Sequence, residues 1–153
     1  MEIIYNKNGL KIINDSNNYG KRAIAVYADM DGLKIVNDEF GHDEGDYSLR
    51  TIADILTESF RQSDVVGRMG GDEFAAFAIV NSENFAETIR MRIKEIADKH
   101  NESSDKPYYV NISVGTCEFV IEEDVNLARI LNKADVSLYE HKRNKEKIIH
   151  KNK

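Results

Sequence analysis

Residues 65 to 80 restrict the possible folds more than any other stretch. Val65-Val66 and the run Phe74 to Val80 read as strands, with Gly70-Gly71-Asp72-Glu73 between them. A Gly-Gly pair in that position supplies the positive φ that a tight turn demands, and it leaves no Cβ to keep a ligand from the backbone. Arg68 to Phe74 is therefore expected to be the tip of a β-hairpin. Because a hairpin is an antiparallel pair, a purely parallel, doubly wound sheet is excluded. Asp72 and Glu73 follow the glycines directly, although one Asn or Asp would satisfy a turn. A solvated acidic turn and a binding site both accommodate this pair, and only partners elsewhere in the chain separate the two.

Upstream, Ala23-Ile24-Ala25-Val26-Tyr27-Ala28 is apolar without a break, the pattern of a strand buried on both faces. It ends on Asp29. Asp31 is placed to cap a short helix that starts just after it, and the free N–H groups at such a start attract phosphate. From Asp43 to about Arg61, Leu49, Ile52, Ala53, Leu56 and Phe60 share one face of a long helix. A second amphipathic helix, capped by Ser82, carries Phe85, Ile89, Ile93 and Ile96 and fades toward Pro107, the only proline. Tyr108 to Val120 is strand-like, with Val110, Ile112 and Val114 on one face and Gly115 loosening the run. A third helix, Asn126 to about Asn144, buries Leu127, Ile130, Leu131, Ala134 and Leu138, and residues 8–18 suggest a short helix decaying into a polar loop. Strands and helices thus alternate in a βαβ-βαβ order around one sheet that contains a hairpin, which defines the α+β class.

At 153 residues the chain fits a single domain with one core, and 41% hydrophobic with 31% charged residues is a globular composition. A formal charge of -6 repels polyphosphates at long range, so a nucleotide needs a local cation and bulk DNA binding is not expected. Cys117 is the single cysteine, which rules out an internal disulfide and fits a reducing cytosol; its strand-like run places it in the core. No apolar run approaches the roughly 20 residues of a membrane span, and residues 1–22 lack a signal-peptide core. The expectation is a cytoplasmic domain with no membrane contact of its own.

If the hairpin packs beside the first strand, Asp29 and Asp72 can share a divalent cation. Carboxylates plus a backbone carbonyl, with positions left for substrate phosphates, are how Mg²⁺ is usually held. The competing reading is two acids that never meet.

Asp29-Met30-Asp31-Gly32-Leu33-Lys34, Asn37-Asp38, Gly41-His42, Gly45-Asp46 and Arg68-x-Gly70-Gly71-Asp72-Glu73-Phe74 together resemble the GGDEF domains of diguanylate cyclases. Ser113-Val114-Gly115 and Ala134-Asp135-x-x-Leu138-Tyr139-x-x-Lys142 extend the resemblance, which runs from about Tyr5 to Lys142. It implies a ferredoxin-like nucleotidyl-cyclase (palm-like) fold with a central sheet of about five strands flanked by helices. The reaction it implies is condensation of two GTP into cyclic di-GMP and two pyrophosphates, with two GGDEF domains facing each other as a homodimer. Metal ligands by resemblance are Asp29, the Met30 carbonyl, Asp72 and Glu73, holding Mg²⁺ or Mn²⁺, two per active site. Asp72 and Glu73 are also the catalytic carboxylates, and which of them is the base stays open. Asp46 matches the guanine-reading acid, since an ionised Asp accepts both N1–H and N2–H₂, a pair adenine does not offer. Asn37 and His42 match further nucleotide contacts; Gly32, Leu33, Lys34, Gly70, Gly71 and Lys142 would border the phosphates. Arg61-x-x-Asp64, with Arg90 or Arg92 adding a contact, matches an inhibitory site for the product.

Three departures qualify the match. The Gly-Arg-Asn that usually follows the lysine is missing, and Glu146 stands where a second phosphate-binding arginine is expected, unless Lys145 or Lys147 substitutes. Gly32 replaces a bulkier residue. The Asp-x-Leu-Thr segment normally just before Tyr5 is absent, as expected for a domain excised from a longer, membrane-bound or multidomain protein without its sensor or dimerisation region. The alternative to an active cyclase is a regulatory module that holds GTP or cyclic di-GMP with little turnover; a cyclase preferring another purine is disfavoured by Asp46.

Overall fold

The computed structural model describes residues 11–81 and 83–151. The unbroken apolar run forms β1 (Arg22–Met30), and it is central as expected. β3 (Glu73–Val80) pairs with it on one side and β4 (Ile112–Val120) on the other, both antiparallel. β2 (Val65–Gly70) joins the far side of β3 through the hairpin, which gives the order β2-β3-β1-β4.

Alternation along β1 divides the core. Ile24, Val26, Ala28 and Met30 pack with α1 (Leu33–Phe40), α2 (His42–Ser59) and α3 (Phe85–Ser103), through Val36, Ile52, Leu56, Ile89 and Ile93. Ala23 and Ala25 instead face α4 (Leu127–Arg143), with Phe77, Leu127, Ile130 and Leu131. Each such fully buried Ile, Leu or Phe contributes roughly 1.5–3 kcal/mol, so both faces of β1 are anchored. The helix over Asn126 to Asn144 matches the expected span: Asn126 caps it by accepting from Arg129 N, and Asn144 closes it. Cys117 is half-buried against this second cluster.

The expected sheet of about five strands has four among the described residues. The missing pairing lies at Tyr108 to Asn111. Both backbone groups of Val110 are taken by the Asn101 carboxamide, at 2.9 and 3.0 Å, so a side chain stands in for a neighbouring strand. Among the described residues, a further ladder is represented by one bridge, Tyr108 to His150, supported by Tyr109 N donating to Ile149 O at 2.7 Å. Residues 11–14 are helical and a 3₁₀ turn follows at Ser16–Asn18, so the helix expected over 8–18 is only partly within the described residues. Ser82 lies outside them; the residue preceding α3 is Asn84, in the left-handed region at φ 62°.

β4 is an edge, and its free backbone groups are covered by side chains. His141 Nδ1 lies 3.0 Å from Val114 N, Ser137 Oγ accepts from Thr116 N at 3.0 Å, and Lys145 Nζ donates to Ile112 O at 2.9 Å. Arg90 reaches the Val114 carbonyl at 3.4 Å.

Candidate functional site at the end of the central strand

Asp29 is opposite Glu73 on β3 and opposite Ser113 on β4. Directly opposed residues put their side chains on the same face, so Asp29 and Glu73 share the α4 face. Asp72 sits in the turn before Glu73. The hairpin tip is tight: Gly70 and Gly71 have φ of 136° and 52°, and the Arg68 guanidinium braces it by donating to the Gly71 carbonyl. The antiparallel hairpin thus delivers both carboxylates of the Gly-Gly-Asp-Glu turn to the end of β1.

Asp29 is 9% exposed. Its Oδ2 accepts from Lys142 Nζ at 2.8 Å, whereas its Oδ1 is buried with no hydrogen-bond partner among the described residues. A buried acceptor left unmade costs about 1–3 kcal/mol. Burial pushes the Asp29 carboxyl above the usual range against the pull of Lys142, and Asp72 and Asp31 push the same way. Burial, helped by Asp135, Asp29 and Asp72, also raises Glu73. Lys142 loses hydration too, but its hydrogen bond to Asp29 and the surrounding acids outweigh that and raise its pKa. The orphaned Oδ1 and this concentration of carboxylates fit a cation. Among the described residues no three His, Cys, Asp or Glu side chains cluster closely enough to hold an ion alone. A hard divalent ion would therefore complete its shell with backbone carbonyl and ligand oxygens, as Mg²⁺ commonly does. Met30, the carbonyl expected there, is the last residue of β1 and pairs with Ile112.

Lys142 owes its place to Gly115. A Cβ at Gly115 would lie 2.2 Å from both Ala134 O and Leu138 N, so the backbone of α4 rests on β4 where only glycine permits it. Gly115 loosens nothing; it is a contact. One turn beyond Leu138, Lys142 comes level with Asp29.

Asp31 does not cap α1. Its carboxylate is 3% exposed, accepts from Ser113 Oγ at 2.6 Å and pairs with Lys145 Nζ at 2.7 Å. Gly32, at φ 72°, holds the N-cap position with no side-chain cap. Leu33 and Lys34 begin α1, and their N–H groups have no acceptor earlier in the helix. The Lys34 ammonium pairs with Asp38 at 2.8 Å on the surface. Lys145 is thus engaged by Asp31, and Glu146 and Lys147 are exposed.

On the other face, α1 and α2 meet at Asn37 and Gly45. A Cβ at Gly45 would lie 1.7 Å from Asn37 Oδ1, so Gly45 makes room for that carboxamide. His42 and Asp46 are exposed in the first turns of α2. Glu44 fixes this end, accepting from Tyr108 Oη at 2.8 Å and pairing with Lys106 at 2.9 Å. Asn37, His42 and Asp46 thus lie where α1 and α2 meet. Sequence reasoning assigned no role to Asp135, which acts on Glu73, or to the Asp31–Ser113–Lys145 cluster; their partners lie too far along the chain for spacing to reveal.

Arg61 and Asp64 form a compact turn after α2. Asp64 Oδ2 accepts from Arg61 N at 2.7 Å, and Asp64 N donates to Arg61 O at 2.9 Å. The Arg61 guanidinium reaches Ile79 O at 2.8 Å, and Arg92 donates to Ser59 O at 3.1 Å, close to the same turn. Arg90 points instead to β4 and Ser137.

An α+β domain of ferredoxin-like order, with an acidic hairpin set against its central strand, is the class defined by these features. Within it, the chain belongs to the GGDEF family: the model described as "Diguanylate cyclase, GGDEF domain" matches residues 5–147. Diguanylate cyclase DgcP of Escherichia coli K12 is 31% identical over 127 residues, covering 82% of this chain and 37% of that protein. Diguanylate cyclase DosC of the same strain is 33% identical over 132 residues, covering 84% and 28%. The chain thus spans well under half the length of these relatives. Among solved structures, the GGDEF domain of TpbB (YfiN) from Pseudomonas aeruginosa superposes with a TM-score of 0.80 at 27% identity, covering 94% of this chain and 84% of that one. Diguanylate cyclase SiaD of P. aeruginosa, solved with its activator SiaC, gives 0.77 at 28% identity and 90% and 52% coverage. No helix among the described residues is long and apolar enough to cross a membrane.

Proposed function

We propose that this chain is the catalytic domain of a diguanylate cyclase, condensing two GTP into cyclic di-GMP with release of two pyrophosphates. The observation that carries the reading is the orphaned, buried Asp29 Oδ1 beside Glu73 and Lys142, on a family match that spans the chain. Divalent cations, Mg²⁺ or Mn²⁺ and two per site, would be held by Asp29, the Met30 carbonyl, Asp72 and Glu73, where they lower a hydroxyl's pKa and offset phosphate charge. Lys142 binds phosphate oxygens as a point charge. The N–H groups of residues 32–34 add donors at a helix start, with Gly70 and Gly71 allowing close backbone approach. Asp72 and Glu73 are the carboxylates available to take the proton of the attacking 3′ hydroxyl. Asp46 accepts from guanine N1–H and N2–H₂, Asn37 adds a base contact, and His42 borders the nucleotide.

One domain holds one GTP, so a second copy brings the other and the two sites close on each other. Arg61, Asp64 and Arg92 form the product-binding site for feedback: the Arg61 side chain stays largely exposed beside Asp64 while its guanidinium also donates to Ile79 O. The domain works in the cytoplasm, where GTP is available, as part of a longer protein. Incubation of concentrated protein with GTP and Mg²⁺, followed by chromatography for cyclic di-GMP, tests the reading. No product, even after enforced dimerisation, overturns it.

A further inference from the structure

The chain leaving α4 turns back under the loop that precedes α1. Ile149 is 5% exposed and belongs to the main core. A Cβ added to Gly32 would lie 2.0 Å from Ile149 Cδ1 and 2.9 Å from its Cγ1. Ile149 therefore fills the space that any side chain at position 32 would need. This accounts for glycine at that position more fully than its φ of 72° does alone.

The segment around Ile149 is itself fixed. Ile149 O accepts from Tyr109 N at 2.7 Å, Lys151 N donates to Pro107 O at 3.0 Å, and Asn111 Nδ2 donates to Ile148 O at 3.3 Å. Lys151 Nζ reaches Asn101 O and Ser104 O, both at 2.9 Å, while His150 contacts Glu39 of α1. Asp31 N donates to Asn111 O at 2.9 Å, and the Asp31 carboxylate is held by Ser113 and Lys145. Residues 31–32 are thus held both by an ion pair and by contact with an isoleucine.

We propose that Ile149 is a positioning residue for the triphosphate, a wedge that keeps Gly32 left-handed and so aims the N–H groups of Leu33 and Lys34. The inference rests on the reading that residues 32–34 receive phosphate. Glycine has no side chain to hold its own backbone, and without the wedge Gly32 gains access to both halves of φ space. Donors displaced by about 1 Å lose on the order of a hundredfold in positioning.

Ile149→Ala is compared with Ile89→Ala, which empties another buried position of the same core, on α3. GTP affinity is measured by calorimetry in Mg²⁺, thermal stability by melting, and loop order by amide exchange at residues 32–34. Both variants are expected to melt lower. Only Ile149→Ala should weaken GTP binding, about tenfold or more, and accelerate exchange at 32–34; Ile149→Val should fall between it and the unaltered chain. Equal GTP affinities for the two Ala variants, or unchanged exchange at 32–34 in Ile149→Ala, would overturn the inference while leaving the cyclase reading intact. If Ile149→Ala does not fold, the same comparison is made between Ile149→Val and Ile89→Val. An unaltered chain that binds no GTP overturns the reading of residues 32–34 and the wedge with it.

Discussion

Asp29 and Asp31 stand two residues apart at the end of the same strand, both buried, and they have opposite fates. Asp31 is satisfied: a serine donates to one oxygen and a lysine pairs with the other, at 2.6 and 2.7 Å. Asp29 has Lys142 on one oxygen and, among the described residues, no hydrogen-bond partner on the other, with its carboxyl raised by burial and by acidic neighbours. Asp31 has a partner on each carboxylate oxygen, whereas the surroundings of Asp29 tolerate its charge at a cost. The first arrangement holds a loop in place; the second leaves an acceptor oxygen for a ligand.

The contrast is sharpest in variants of the two acids. Asp29→Ala should lower cyclic di-GMP formation by more than the roughly 10–100-fold that loss of an outer-shell metal partner costs, with melting temperature little changed. Asp31→Ala should do the reverse. Stranding the partly buried Lys145 is expected to cost about 2 kcal/mol in urea denaturation, while turnover per folded molecule falls much less. Equal stability losses in the two variants would erase the distinction. Lys142→Met removes a charged donor and should weaken GTP binding about tenfold, read by titration in Mg²⁺.

The smallest effect is expected at Glu73. A carboxyl raised by folding adds stability below its unfolded value near 4.5, and that contribution is lost as pH rises through the folded value. Above the folded value the native chain therefore bears the cost of an ionised Glu73. Glu73→Gln should raise the melting temperature slightly at pH 7, and the gain should vanish as pH falls toward 4. A lower melting temperature at pH 7 would mean that the end of β1 is not under acidic strain.

Much of the framework was legible because it rests on local pattern. The apolar run at 23–28 could only be a central strand, the spacing of Leu49 to Phe60 reported α2, and Gly70-Gly71 announced the hairpin. Asp29 and Asp72 were legible as partners only on condition that the hairpin packed beside the first strand, and the β1–β3 register that sets Asp29 opposite Glu73 joins segments far apart in the chain. What escaped was set by contacts between distant segments. Asp31 looks like a helix cap until Ser113 and Lys145 arrive from β4 and from beyond α4. Gly32 looks like a mild departure until Ile149 is seen against it. Tyr108 to Asn111 has the alternation of a strand, but the Asn101 carboxamide competes successfully for Val110's hydrogen bonds.

The covered edge of β4 bears on how this chain is made. An unpaired edge strand is a template for aggregation, and here the groups that blunt it, Ser137, His141 and Lys145, come from the last helix and the residues just after it. On the ribosome, β4 is complete before any of them is available. A chain truncated ahead of Ser137 would expose a sticky border and should self-associate, whereas the chain that carries α4 keeps this border closed.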